Sequence, residues 1–194
     1  MNVMFVKVNN PVSVSVAGFQ PSDITVSMTN GSIKKGKIEV NGKKVNGYIA
    51  NPTSSKSKSI VTVYVKNKGK KTKMGNLEFR VEDVPPPKIK IDGKDKGYLS
   101  KAKILGAGGL VARLENFYLK GIRYSVISYD FTTTYEGNQV NIQIKGPKFN
   151  NNVKSSIKQT SSGNKITFSN IKARRTDAKG LKAVDCSAVV FKIK

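Results

Sequence analysis

Three consecutive prolines near the middle of the chain, in Val84-Pro85-Pro86-Pro87, constrain its fold more than any other stretch. Proline fixes its own φ and has no N–H to give to a ladder, so a run of three holds the backbone extended and cannot lie inside a sheet. The chain on both sides of the run is strand-like. The run therefore predicts a boundary, with one unit over residues 1–84 and a second over 85–194, joined by a stiff segment. The 194 residues suffice for two small units.

Before the prolines, apolar and polar residues alternate with the period of a strand. The opening MNVMFVKV reads as a strand, and Val12, Val14 and Val16 then alternate with serine up to a turn at Gly18 and Pro21. Ile24, Val26 and Met28 alternate next and stop at Asn30-Gly31. Short strands are expected at 37–40 and 45–50 around the turn dipeptide Asn41-Gly42, then in SIVTVYVKN beyond the polar loop TSSKSKS, and at Leu77, Phe79 and Val81. Seven short strands with turn signals about every 8–12 residues are the pattern of an immunoglobulin-like β-sandwich, here without the Cys-Trp-Cys core of antibody domains.

Beyond the prolines, IKIDGKDKGYL predicts a hairpin around Asp92-Gly93 or Lys96-Gly97. Ser100 is a suitable N-cap for a short helix over 101–105, and Gly106 stands where such a helix would stop. Strands are expected at 110–114, 122–135, 140–144 and 166–171, with the last ones within 184–193. NNNVKSSIKQTSSGN, rich in Ser, Asn and Lys, reads as an exposed mobile loop. The expected fold is mainly β: two tandem sandwich-like domains, the second β-rich with one short helix near 100–106.

Composition narrows the chemistry. The chain has no His and one Cys. It can build no Ser-His-Asp or Cys-His nucleophile, no imidazole metal site and no disulfide within itself. Cys186, in VDCSAV, reads as a small buried strand residue. The net charge of +23 raises nucleic acid as a partner. But 30 of the 35 basic residues are Lys, scattered and often alternating with apolar residues, as in Lys88-Ile89-Lys90-Ile91. Lysine lacks the bidentate fork that reads phosphate and guanine, and this spacing is that of a solvated strand face that resists edge-to-edge pairing. No nucleic-acid or small-molecule partner is expected. No stretch reaches the roughly 18–20 apolar residues of a membrane helix, and the start lacks the pattern of a signal peptide.

Candidate sites are few. GAGG at 106–109 would need a following Lys-Ser or Lys-Thr to be a phosphate loop, and a third glycine at 111, where Val stands, to be a dinucleotide fingerprint. Its helix also precedes the glycines. It reads as a helix stop and a turn into a strand. The carboxylate pairs Glu82-Asp83, Asp92 with Asp95 and Asp177 with Asp185 are weighed for acid–base or calcium chemistry, but they sit beside turns among lysines. No catalytic, cofactor or metal residue is expected. Lys172, Arg174 and Arg175, in NIKARRTDAKG, form the densest arginine-bearing stretch and are the candidates for contact with an acidic partner or anionic glycan, against the plainer reading of a solvated turn. Phe117, Tyr118, Tyr124, Tyr129, Phe131 and Tyr135 read mostly as core at strand spacing.

The order of several segments carries a resemblance. NNPVSVSVAG near the start, FRVEDVPPP at the junction, and SKAKILGAGGLVARLENF followed by YSVISYDFTTTYEG together resemble the C-terminal periplasmic region of the GldM/PorM family, the gliding-motility and type IX secretion proteins of Bacteroidota. The resemblance spans nearly the whole chain. It implies a long periplasmic homodimer, anchored by an N-terminal helix belonging to a proton-driven inner-membrane motor, whose far end meets a ring of subunits associated with the outer membrane. The present chain would be the two distal domains, with Met1 an added start and the anchor upstream. The implied role is mechanical, and no catalytic residue transfers. The residues by themselves also allow an immunoglobulin-like adhesin or glycan-binding module.

Overall fold

The computed structural model describes residues 2–67 and 69–194. Met1, the first residue of the expected opening strand, lies outside them. The chain divides into two compact units, Met1–Val84 and Pro85–Lys194, and the protein is mainly β. Ladder pairing in the first unit ends at Glu82 and resumes at Lys88, so Pro85, Pro86 and Pro87 lie in no strand. Pro87 is buried, and the Tyr124 hydroxyl donates to the Pro85 carbonyl at 3.1 Å, within the second unit.

The first unit contains seven strands: β1 (Val3–Phe5), β2 (Asn10–Val12), β3 (Ile24–Met28), β4 (Gly31–Val40), β5 (Lys43–Pro52), β6 (Ser59–Asn67) and β7 (Lys70–Glu82). One sheet runs β1-β7-β6-β3, with β1 parallel to β7, and the other runs β2-β5-β4. Met4, Ala50 and Val61, drawn from both sheets, form the buried centre, with Val26, Ile33 and Phe79 packed around it. This is a sandwich of four strands on three. The expected short strands at 37–40 and 45–50 lie within one hairpin of two ten-residue strands, closed by Asn41 and Gly42 at φ +50° and +76°, the left-handed pair that a two-residue hairpin turn needs. Val14 and Val16, expected to continue a strand, lie past the end of β2: their valines are half-buried and the serines between them exposed, but the segment 13–16 belongs to no ladder.

One buried polar side chain organises the start of this unit. Asn10 is 4% exposed. Its Oδ1 accepts from the Phe5 amide at 2.8 Å, and its Nδ2 donates to the carbonyls of Phe5 at 2.9 Å, Val8 at 2.8 Å and Ala50 at 3.3 Å. A backbone that leaves one sheet and enters the other must satisfy these groups without ladder partners, and the carboxamide supplies both a donor and an acceptor.

The second unit is built on β8 (Lys88–Lys90), β9 (Lys96–Leu99), α1 (Lys101–Ala107), β10 (Val111–Arg113), β11 (Tyr124–Tyr135), β12 (Asn138–Lys145), α2 (Asn151–Gln159), β13 (Lys165–Arg175), β14 (Val184–Cys186) and β15 (Val189–Ile193). The main sheet runs β12-β11-β13-β15-β9, with β14 also on β13, while β8 pairs with β10 in a separate ribbon. The expected hairpin is thus corrected. Asp92 and Gly93 do turn the chain, at φ +49° and +76°, but β8 and β9 leave for different sheets, and β9 instead runs parallel to β15. Phe168 is the hub of the core, with ring centroids 5.4 Å from Phe131, 5.6 Å from Phe149 and 5.8 Å from Tyr129.

Two helix expectations need correction. Asn151–Gln159, within the segment expected to be a mobile loop, is the helix α2. Its cap Asn150 accepts from the Val153 amide at 2.9 Å, and Val153 and Ile157, four residues apart, are fully buried against the sheet. Two buried side chains at helical spacing outweigh the weak intrinsic preference of Asn and Ser. α1 runs through Gly106 and ends at Gly108, whose φ of +69° makes it the left-handed cap.

Candidate functional site

The alternation of β13 sorts the candidate cations. Ile166, Phe168, Ile171 and Ala173 are buried, so Lys172 and Arg174 project from the opposite face, toward solvent. Arg175 follows the parity of Ala173 and turns inward, where it is 7% exposed. The stretch expected to act together is divided. Two cations face outward, and the third is a buried structural group on a strand rather than in a turn.

Register places Lys172 in a row. It stands opposite Ser128 of β11 and Asp185 of β14, and Ser128 stands opposite Lys145 of β12. Lys145, Ser128, Lys172 and Asp185 thus cross the outward face of the sheet, and Arg174, opposite Ser125, lies next to them. Strands are about 4.8 Å apart, so Lys145 and Lys172 stand roughly 10 Å from each other. At that distance two ammonium groups hardly repel in salt, and each can meet its own carboxylate on a partner. The β11–β13 register shifts on both sides of Ser128. Such irregularities re-aim side chains. Three cations and one carboxylate on an exposed strand face can hold an acidic surface. Lys145 completes the row, and its outward parity follows from the alternation of Val140, Ile142 and Ile144.

Arg175 is held by Asp177. Its Nη2 donates to Asp177 Oδ2 at 2.5 Å and its Nε to Oδ1 at 3.2 Å, while the Arg123 amide donates to Oδ1 at 3.3 Å. Burial alone would raise the Asp177 carboxyl, but the guanidinium and the amide outweigh it and hold the group below the usual carboxylate range. Tyr124 beside this pair is pushed up by burial, against the opposing pull of Arg175.

Asp83 accepts from the Ser55 hydroxyl at 2.8 Å, Asp92 lies 3.7 Å from Lys103 Nζ, Asp177 binds Arg175, and Asp185 stands opposite Lys172. Glu115, missed in the sequence, joins Lys90 and, at 3.1 Å, Lys88, fastening β8 to the chain after β10; hydrogen bonds from these two lysines lower its carboxyl. Among the described residues no three His, Cys, Asp or Glu side chains are grouped as a metal site would need. Cys186 is a half-buried strand residue packed on the core, its thiol raised by burial.

GAGG forms no phosphate cradle; it joins the two helices. Past the Gly108 cap, Gly109 pairs with Lys148, the Leu110 amide donates to the Pro147 carbonyl at 2.8 Å, and the Phe149 amide donates to the Gly108 carbonyl at 3.0 Å. A Cβ on Gly109 would overlap the Pro147 carbonyl oxygen. The glycine is required by the close approach of two backbones.

Two family models match this architecture end to end. The GldM third domain matches residues 1–82, and the GldM C-terminal domain matches residues 85–194. The chain belongs to the GldM family. The GldM match falls on the two units and leaves Asp83 and Val84 between them. This places the chain among the components of the gliding and type IX secretion machinery. No curated protein matches the chain. Among solved structures, domains 6–7 of the surface layer protein SbsC match with 11% identity over 89% of this chain and 79% of that one, at a TM-score of 0.23. No helix of the described residues is long and apolar enough to cross a membrane.

Proposed function

We propose that this GldM chain is a non-enzymatic, force-transmitting part of the gliding and type IX secretion machinery. It forms the distal periplasmic stretch of a homodimeric shaft that links an inner-membrane proton-driven motor, through chain upstream, to a ring of subunits associated with the outer membrane. The observation that carries this reading is the succession of the third and C-terminal GldM domains along one chain, with the proline run at their junction. The outward row of Lys145, Lys172 and Arg174 serves as the contact with an acidic face of the ring.

The test is assembly. Light scattering of the purified chain is expected to give a dimer, and immobilised chain is expected to retain the ring subunits from an outer-membrane extract. A strict monomer that retains no ring subunit overturns the proposal. Selective binding on a glycan array would support the adhesin reading instead.

A further inference from the structure

The sandwich of the first unit is open along one seam. β1 pairs with β7 at residues 80–82 alone, so residues 70–77 of β7 have β6 on one side and no strand on the other. Leu77 stands opposite Val61, which is 2% exposed in the core, and so faces the sandwich interior; yet Leu77 is itself 50% exposed. Across the gap runs the segment 13–16, outside any ladder. Between them lies a groove of about 580 Å³ lined by Val14, Val16, Val63, Met74, Leu77 and Phe79. An apolar groove beside a free strand edge has the form of a missing strand: alternate backbone groups of β7 point into it, and core-facing side chains lack cover.

Charge on the other face of β7 specifies what fits. A register shift between Val63 and Tyr64, which skips Met74, reverses the parity of β7 before Gly75, so Lys71 and Lys73, opposite Lys66 and Tyr64, lie on the outer face. The cross-strand pair Lys66 and Lys71 sets like charges on one face, with the Lys71 ammonium lying over the Tyr64 ring, 4.1 Å from its centroid. Glu78, on that same face, is taken by Lys58 at 2.5 Å, and among the described residues no carboxylate pairs with Lys71 or Lys73. A second copy carries the same excess, +23 per chain, and brings more positive charge to this edge.

We propose that residues 70–77 of β7 and the adjoining groove receive an extended acidic segment of another protein by strand addition. Its apolar residues, at every second position, enter the groove beside Leu77, and its carboxylates lie opposite Lys71 and Lys73. This inference is independent of the outward row in the second unit.

The test is the binding of eight-residue peptides to the full 194-residue chain, followed by fluorescence polarisation. A peptide alternating Val and Glu is expected to bind, to weaken at least tenfold between 50 and 500 mM salt, and to protect amides within 70–77 from hydrogen exchange. Leu77→Asp is expected to weaken it at least tenfold. Lys71→Glu with Lys73→Glu, folded by circular dichroism, is expected to lose it and to bind instead the peptide in which Lys replaces Glu. Equal binding of a peptide of the same composition with its valines clustered overturns the proposal. So does binding unchanged in the Lys71/Lys73 double variant. A concentration-dependent dimer that Leu77→Asp dissolves, together with no peptide binding, assigns the seam to a second copy and also overturns it.

Discussion

Gly109 lies so close to the main chain of Pro147 and Lys148 that a Cβ on it would stand 3.0 Å from Lys148 Cα and overlap the Pro147 oxygen. Gly108, its neighbour, has open space around it but a φ of +69°. Alanine therefore harms the two sites by different physics. Gly108→Ala should cost about 1 kcal/mol for the left-handed backbone. Gly109→Ala must push the 109 and 147–148 backbones away from each other and break the joint between α1 and α2, at a cost of about 2–4 kcal/mol. Thermal unfolding should show the second variant melting well below the first. Equal losses would mean that conformation, not contact, is what both glycines supply.

The Asn10 carboxamide faces four main-chain groups between β1, β2 and β5, its Oδ1 accepting from the Phe5 amide and its two Nδ2 hydrogens shared among three carbonyls. Asn10→Ala should destabilise the first unit by about 3 kcal/mol. Asn10→Asp keeps the acceptor and loses the donor, and at neutral pH sets a charge against three carbonyl oxygens, so it should be no better than alanine. Urea unfolding followed in the first unit checks both. Full stability of Asn10→Asp would contradict the assigned bonds.

The Arg175–Asp177 pair predicts a pH dependence. The folded-state carboxyl is held below its ordinary value, near 3.9 in an unfolded chain. Its contribution is therefore fully present above that unfolded value and is lost as pH falls through the folded one. Asp177→Asn should be roughly 1–3 kcal/mol less stable than the parent at pH 7, because it leaves a guanidinium buried with a weaker partner. The gap should narrow as pH falls below about 4. A gap that stays constant from pH 7 to pH 3 would show that the charge of Asp177 is not what stabilises the pair.

Period and punctuation made most of the fold legible: SIVTVYVKN is β6 residue for residue, and the turn at Asn41-Gly42 and the break at the prolines lie where their backbone chemistry requires. What composition hid was tertiary. NNNVKSSIKQTSSGN looks like a loop because Asn and Ser favour turns, but Asn150 followed by Val153 and Ile157 is a cap followed by an apolar face, a pattern that composition dilutes. Which strands pair was illegible, since β9 joins β15 from the far end of the chain. At the candidate site, the outward parity of Lys172 and Arg174 could be read from Ile171 and Ala173. The inward parity of Arg175 follows from Ala173 in the same way; what could not be read was its partner, because Asp177 lies beyond the end of β13 and folds back onto it.

The balance between cap and apolar face in α2 can be measured directly. Ile157→Ala removes a fully buried side chain from between helix and sheet and should cost about 2–4 kcal/mol, whereas Asn150→Ala removes one capping bond and should cost about 1 kcal/mol. If the segment were held by its cap rather than by its apolar face, the order would reverse in chemical denaturation.

Lys172 and Arg174 supply the complementary test, since both point away from the core. Both are exposed on the outward face, and substitutions at such positions usually shift stability by no more than about 0.5 kcal/mol. Lys172→Glu with Arg174→Glu should lower the melting temperature only slightly, through a carboxylate at 172 facing Asp185 across the strands, while weakening retention of an acidic ring surface, more at low salt than at high. Arg175→Ala should do the reverse, lowering the melting temperature through the lost packing of the buried Arg175 side chain and its bonds to Asp177, and leaving binding by the surviving folded chain intact. A double reversal that unfolds the domain would place Lys172 and Arg174 with the structural residues; one that leaves ring capture untouched at low salt would move the contact to another face.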